Sequence, residues 1–169
     1  MRRRASIALS VLMLTTLLPM GLRVEAADAS DVDKAAIQKL FVDFNNASNN
    51  HDAHGAAMLF TEDGECIGVY GKIFHGRAAI EQQMAPLFNG VLKTTHRDVT
   101  LRGVRFLRPD IATVDSDYVT TGVVGANGVP APATKELYDW IVTKQDSHWL
   151  IAVWHESNLP APPAAAATH

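Results

Sequence analysis

His155 closes an apolar run, Trp149-Leu150-Ile151-Ala152-Val153-Trp154, and Glu156 follows it. An imidazole titrates near neutral pH, so a histidine at the rim of an apolar surface is suited to taking and returning a proton. The run reads as a strand apolar on both faces, which belongs in the middle of a sheet. Period-2 alternation puts Trp149, Ile151, Val153 and His155 on one face, with Leu150, Ala152 and Trp154 on the other. A preceding strand, Lys135 to Thr143, pairs with it through a hairpin at Gln145-Asp146-Ser147, so that Asp139 shares the His155 face and can orient the ring. His155 and Asp139 are therefore the candidate catalytic pair. The competing reading is a structural histidine whose ring nitrogens bond backbone groups at the strand end.

A second hairpin supplies the other candidates. Arg108-Pro109-Asp110 joins a strand at Thr95 to Leu107 to one at Ile111 to Thr121. Val104, Phe106, Ala112, Val114 and Tyr118 are expected to face inward, and Thr100, Arg102 and Ser116 continue that face as a polar pocket lining. Arg102, Ser116 and Tyr118 are candidate ligand contacts. Trp154 is one too, as a ring platform, although tryptophans are core residues first. Tyr70, His75 and His96 are placed at the rim, with plain surface loops as the alternative. Asp115 and Asp117 fall on the outer face beside Arg105, which favours solvation or an interface over paired-carboxylate chemistry.

Other chemistry is not favoured. His51 and His54 flank Asp52 at a spacing that permits a metal, yet a helix starting there explains Asp52 as its cap, so no metal site is assigned. Cys66, the one cysteine, lies in an apolar strand and reads as a buried inert thiol. No Gly-x-Gly-x-x-Gly fingerprint is present, and no cofactor is assigned.

These residues need a scaffold. Ser30 or Asp31 caps a first helix with Ile37, Leu40, Phe41 and Phe44 at helical spacing, ended by the polar run Asn45 to Asn50. Asp52 caps a short helix, Ala53 to Phe60, burying Ala57, Met58 and Phe60. Glu62-Asp63-Gly64 reads as a turn, followed by a strand through Tyr70, a turn at Gly71-Lys72 and a short return strand ending at His75. A third helix spans Arg77 to Phe88 with Ile80, Met84 and Leu87 inward, and Pro86 kinks or ends it. Val123 to Thr134 is a mobile connection between the strands that follow. Helices first and strands last indicate an α+β fold.

The ends read differently. Arg2-Arg3-Arg4, an apolar stretch from Ile7 to Met20 and small residues before Ala26 form a leader, 1–26, that marks the chain for export to a periplasm or outside the cell. The stretch is too short to span a bilayer comfortably. The tail, 159–169, is rich in proline and alanine and is expected to be disordered. The whole chain of 169 residues carries a net charge of −3. Loss of the leader removes Arg2, Arg3, Arg4 and Arg23 against only Glu25, so the remainder is more acidic still. That balance argues against nucleic acid and, once the leader is gone, against membrane surfaces. A small molecule or another protein is the expected partner.

Four segments carry a resemblance: FNNASNNHDAHGAAMLFTEDGECIGVYG, FHGRAAIEQQM, VRFLRPDIATVDSDYVTTG and WLIAVWHES. In this order they resemble the SnoaL-like, nuclear transport factor 2-like family, with the SgcJ/EcaC oxidoreductase-like group as the nearest likeness. The resemblance covers 30–158. It implies a cone-shaped fold of three N-terminal helices packed in a curved antiparallel sheet, a pocket at the open end, and a homodimer. It does not imply one chemistry, because the fold hosts enzymes, binding proteins and association domains. Compared with ketosteroid isomerases, the general-base position falls at Gly68 and the oxyanion-binding tyrosine falls near Phe44. Neither residue can serve those roles. The expected function is an exported domain that binds a small apolar molecule in its cone. The alternatives are a cofactor-free cyclase or isomerase using His155, and a homo-oligomeric association module.

Overall fold

A computed structural model describes residues 24–125 and 128–158. The tail and nearly all of the leader lie outside the described residues. Helix α1 runs Val24–Asn49, α2 Ala53–Met58 and α3 Arg77–Asn89. The strands are β1 Phe60–Ile67, β2 Ile73–His75, β3 His96–Arg108, β4 Ile111–Thr121, β5 Thr134–Gln145 and β6 His148–Asn158. They form one curved six-stranded sheet in the order β2-β1-β6-β5-β4-β3. The sheet is mixed rather than purely antiparallel, because β1 runs parallel to β6. Long hairpins join β3 to β4 and β5 to β6, while α3 carries the chain from β2 to β3.

The expected elements are present, with shifted ends. The asparagine run does not stop α1; Asn45 to Asn49 are helical. Asn49 is put to use there, because its side chain donates to the Arg97 carbonyl (2.9 Å) and accepts from the Arg97 N–H (2.8 Å), tying α1 to β3. Asp52 caps α2 as expected, accepting from the Gly55 N–H at 2.8 Å. Met58 is half exposed rather than buried. Glu62-Asp63-Gly64 lies inside β1, where the pairing to β6 shifts register between Phe60 and Glu65. Gly64 is buried there, and a Cβ would stand 3.1 Å from the Thr61 carbonyl oxygen and 3.2 Å from that of Ile151, which suits glycine. Pro86 is accommodated near the end of α3.

The core fills the space between helices and inner sheet face. Ile37, Leu40, Phe41 and Phe44 of α1 pack on Trp140, Trp154 and Ile151. Trp140 and Trp154 stack with centroids 5.4 Å apart and planes 8° from parallel, and Phe41 and Phe44 meet Trp140 edge-on. At the other end, the Asp33 carboxylate accepts from Lys144 Nζ (2.7 Å) and Trp149 Nε1 (2.9 Å), pinning α1 to the last hairpin. That hairpin turns through Asp146 and Ser147, both at positive φ, in a two-residue loop.

Candidate functional site

Two irregularities in the sheet decide which side chains reach the cone. In β6, Ile151 pairs Val142 but Val153 pairs Ile141, so Ala152 is an extra residue and the alternation restarts after it. Trp149 and Ile151 point inward before the bulge; Trp154 and Glu156 point inward after it. Val153 and His155 therefore lie on the outer face, and His155 is exposed. In β3, Leu101 pairs Ser116 and Gly103 pairs Asp115, leaving Arg102 as the extra residue. The inward residues are Arg97, Val99, Leu101, Val104 and Phe106.

The chamber inside the cone has a narrow inner part of about 50 Å³, lined by Phe44, Cys66, Met84, Phe88 and Trp154. A wider mouth of about 330 Å³ is walled by Phe74, Leu87, Val91 and Leu92. Arg97 and Glu156 line both parts, so they sit where mouth meets inner chamber. Gly68 also lines both, and a Cβ there would meet nothing closer than 4.0 Å. The position that cannot act as a base thus leaves the mouth open.

Behind Arg97 lies a buried polar network. The Tyr138 hydroxyl is 2.8 Å from Glu156 Oε1 and 3.3 Å from Glu136 Oε2, so its single proton is set between two carboxylates. Thr120 donates to Glu136 at 2.9 Å. Trp140 Nε1 donates to the Ser116 hydroxyl at 2.8 Å. Burial pulls the Arg97 guanidinium down, but the surrounding Tyr138, Glu156, Glu136 and Tyr118 outweigh it and hold its proton more tightly than usual. Burial raises Glu156 above the ordinary carboxylate range, against the pull of Arg97 and the Tyr138 hydrogen bond. Burial likewise raises both Tyr118 and Tyr138, with Arg97 opposing. Burial, with Glu156 adding to it, pushes the Cys66 thiol up to about 12, so the inert reading suits this cysteine.

Several buried polar atoms find no hydrogen-bond partner among the described residues. Arg97 Nε, Trp154 Nε1, Ser48 Oγ and Tyr118 OH are among them. Arg97 is only 9% exposed, yet no ion pair involves it among the described residues. Buried polar groups are nearly always paired, and three of these, on Arg97, Trp154 and Ser48, belong to residues that line the inner chamber.

The residues singled out from the sequence divide between the two faces. Ser116 and Tyr118 face inward but are fully buried and line neither part of the chamber, whereas Trp154 lines its inner part. His155 and Asp139 share a face, as expected, and stand opposite each other in the β5–β6 register, but that face is the outer one and no hydrogen bond or ion pair joins them. They line a concavity of about 510 Å³ with Arg105, Asp115 and Ile141, away from the chamber. Arg102 also points outward, its Nε 2.7 Å from Asp117 Oδ2, because the β3 bulge turns it over; Thr100 is exposed beside it. His75 is on the outer face, 3.2 Å from Glu65, and His96 is exposed, 3.5 Å from Asp98. Tyr70, 97% exposed, stands at the mouth of the cone. His51 bonds the Leu92 carbonyl and His54 meets Glu81, so each has its own partner, and the described residues hold no cluster of three or more metal-ligating side chains.

Reading the sequence overlooked Arg97, Glu156, Glu136, Tyr138 and Ser48. A signal existed for two of them. Glu136, Tyr138, Trp140 and Val142 alternate cleanly, and the apolar members alone assign Glu136 and Tyr138 inward. Glu156 and Arg97 depended on bulge and register.

A sheet curved round three helices, with an apolar chamber and a polar end, defines the class of cone-shaped folds that enclose a small cavity. The sequence pattern of the SnoaL-like domain matches residues 32–155, and the chain belongs to that family. An NTF2-like protein with a cystatin-like fold from Novosphingobium aromaticivorans is similar at 20% identity and a TM-score of 0.68, over 88% of this chain and 97% of that one. A candidate scytalone dehydratase from the same organism aligns at 18% identity and 0.69, over 79% and 89%. A candidate calcium/calmodulin-dependent protein kinase II association domain from Xanthomonas campestris aligns at 24% identity and 0.61, over 90% and 100%. These likenesses establish the fold. No curated protein matches the chain.

Proposed function

We propose that this protein binds a small, largely apolar molecule in its cone, with a polar end of the ligand against Arg97, Trp154 and Glu156. The observation that carries this reading is the set of buried, unpartnered polar atoms around an otherwise apolar chamber. Apolar walls provide affinity and a few fixed polar groups provide orientation, the usual division in ligand pockets. Gly68→Phe fills the open mouth from a position where a side chain meets no obstacle. A thermal-shift screen of small aromatic compounds is expected to find ligands that stabilise the native chain and not the Gly68→Phe variant. Finding none, together with a crystal structure whose chamber is collapsed, would defeat the reading.

A second reading concerns the outer face, where we propose a homodimer. Ile67, Ile141 and Val153 lie there among Arg105, Asp115 and Asp139, so a second copy could match apolar and opposite charges. Ile141→Glu is expected to give a monomer by sedimentation at micromolar concentration where the native chain sediments as a dimer. Export rests on the leader, and a shortened chain recovered outside the cytoplasm is its test.

A further inference from the structure

We propose that the outer face takes a second copy of this chain in a proton-dependent way, with His155 as the switch: the dimer tightens when the imidazoles are protonated and loosens as pH rises. This inference rests on the homodimer reading of that face and adds how the contact is regulated.

Strand register builds the switch. Ile67 pairs His155, His155 pairs Asp139, Asp139 pairs Asp115 and Asp115 pairs Gly103, so these positions stand in one row across the sheet. All of them line the outer concavity. Asp115 and Asp139 are thus two carboxylates directly opposite each other, an unfavourable pairing that water screens while both are exposed. Gly103 ends the row without a side chain, and a Cβ there would meet nothing within 4 Å, so the flank of Asp115 is open to a partner's group. Val153 and Ile141, paired in the next row, supply an apolar centre beside the charges.

Charge decides the occupant and the direction. Among the residues lining the concavity, Arg105 is the permanent cation, set against Asp115 and Asp139. Each copy therefore has carboxylates to offer and a guanidinium to give, which is what a self-complementary contact requires. One arginine against two carboxylates leaves one negative charge over in each copy, and closing the contact strips that charge of water. His155 is the group in the row that can become positive and cancel it, since an imidazole titrates near neutral pH. The groups facing it are Asp139 from β5 and Ile67 from β1, with Asp115 one strand further and Glu65 one pair along β1. Glu65 is matched locally by His75 at 3.2 Å, and Asp117 by Arg102 at 2.7 Å. A dimer that holds more protons than two separate copies gains as pH falls and loses as pH rises.

The test is sedimentation equilibrium of the full protein at about pH 5.5 and about pH 8, a window above the ordinary carboxylate range that spans the titration of an imidazole. The native dimer is expected to dissociate roughly tenfold more readily at the higher pH, as the loss of a desolvated charge pair allows. His155→Gln is expected to remove this dependence and to dissociate at both pH values as the native dimer does at the higher one. Asp139→Asn leaves Arg105 with one carboxylate, so it is expected to keep the dimer tight at the higher pH and to flatten the dependence. His75→Gln, at the sheet edge, is expected to retain it. All three side chains are exposed, so the variants are expected to fold. A native dimer equally tight at both pH values, or tighter at the higher one, overturns this inference and leaves the homodimer standing. A pH dependence that survives His155→Gln overturns it too. A native protein that is monomeric at both pH values overturns both.

Discussion

The two faces of this sheet are made from neighbouring residues of the same strands, yet they offer opposite environments. On the inner face, Arg97, Glu136 and Tyr138 are buried and Glu156 is partly buried; burial raises Tyr138 and Glu156, while the surrounding groups outweigh burial and raise Arg97. On the outer face, His155, Asp139, Arg102 and Asp117 contact solvent, and the ion pairs there are exposed. Residue type alone would favour the outer set, since it holds the histidine. Environment reverses that preference: Arg97 and Glu156 line the chamber largely out of water, where proton affinities depart from their ordinary values, whereas His155 is solvated on an open face. The difference between the faces comes down to two extra residues, Ala152 and Arg102, one in each of two strands.

The largest effect that separates the faces is on stability. Trp140 is 1% exposed and meets Phe41, Phe44, Tyr118, Tyr138 and Trp154. Trp140→Ala is expected to cost about 3–5 kcal/mol in urea denaturation. Its strand neighbour Ile141, 39% exposed on the outer face, is expected to cost less than about 1 kcal/mol as Ile141→Ala in a monomer. Equal losses would mean that the outer face is covered in solution.

Much of the inner face was legible because period-2 alternation survives wherever the strand is regular. Ala112, Val114, Ser116 and Tyr118 follow it without interruption, and all four are buried as expected. The direct facing of Asp139 and His155 was not legible, because the two-residue turn pairs Gln145 with His148 and would set Asp139 opposite Trp154; the extra residue in β6 moves it opposite His155. What could not be read was the bulge. One added residue inverts every later side chain, and Ala152 within an apolar run gives no local sign of it. The parallel pairing of β1 with β6 was hidden for another reason: it joins strands at opposite ends of the chain, and no turn connects them.

A smaller effect tests the clasp that closes the inner face at its far end. Burial would raise the Asp33 carboxyl, but hydrogen bonds from Lys144 and Trp149 outweigh it and hold it below the ordinary range. A depressed carboxyl contributes stability that is present above its unfolded value, 3.8, and is lost as pH falls through its folded value. Asp33→Ala is expected to lower stability by about 1–2 kcal/mol at neutral pH, since it leaves the Trp149 N–H and the Lys144 ammonium unpaired. The difference between the two proteins should shrink in acid, as measured by urea denaturation at stepped pH. A difference independent of pH would assign the loss to packing instead.

Glu156 gives the opposite sign. Its folded-state proton affinity is raised, so in the window above its ordinary value of 4.5 the folded chain binds more protons than the unfolded one. Stability contributed by the neutral form is therefore lost as pH rises through the folded value. Glu156→Gln cannot ionise, so its stability relative to the native chain is expected to improve from acid toward neutral pH. A constant offset across that range would show that Glu156 ionises in the folded chain as it does in the unfolded one.

The smallest effects belong to the outer face, and they are the sharpest check on where the site lies. Arg102 and Asp117 share a hydrogen bond that holds Asp117 low and Arg102 high, but both are exposed, and solvent screens such pairs. Arg102→Ala is expected to leave the melting temperature unchanged within error. His155→Ala is expected to leave it unchanged as well, and to leave binding of any cone ligand unchanged, because the imidazole projects from the opposite side of the sheet. The two variants together discriminate the faces by affinity alone. A loss of ligand affinity in His155→Ala, with Arg102→Ala silent, would return the site to the outer concavity and remove Arg97 and Glu156 from it.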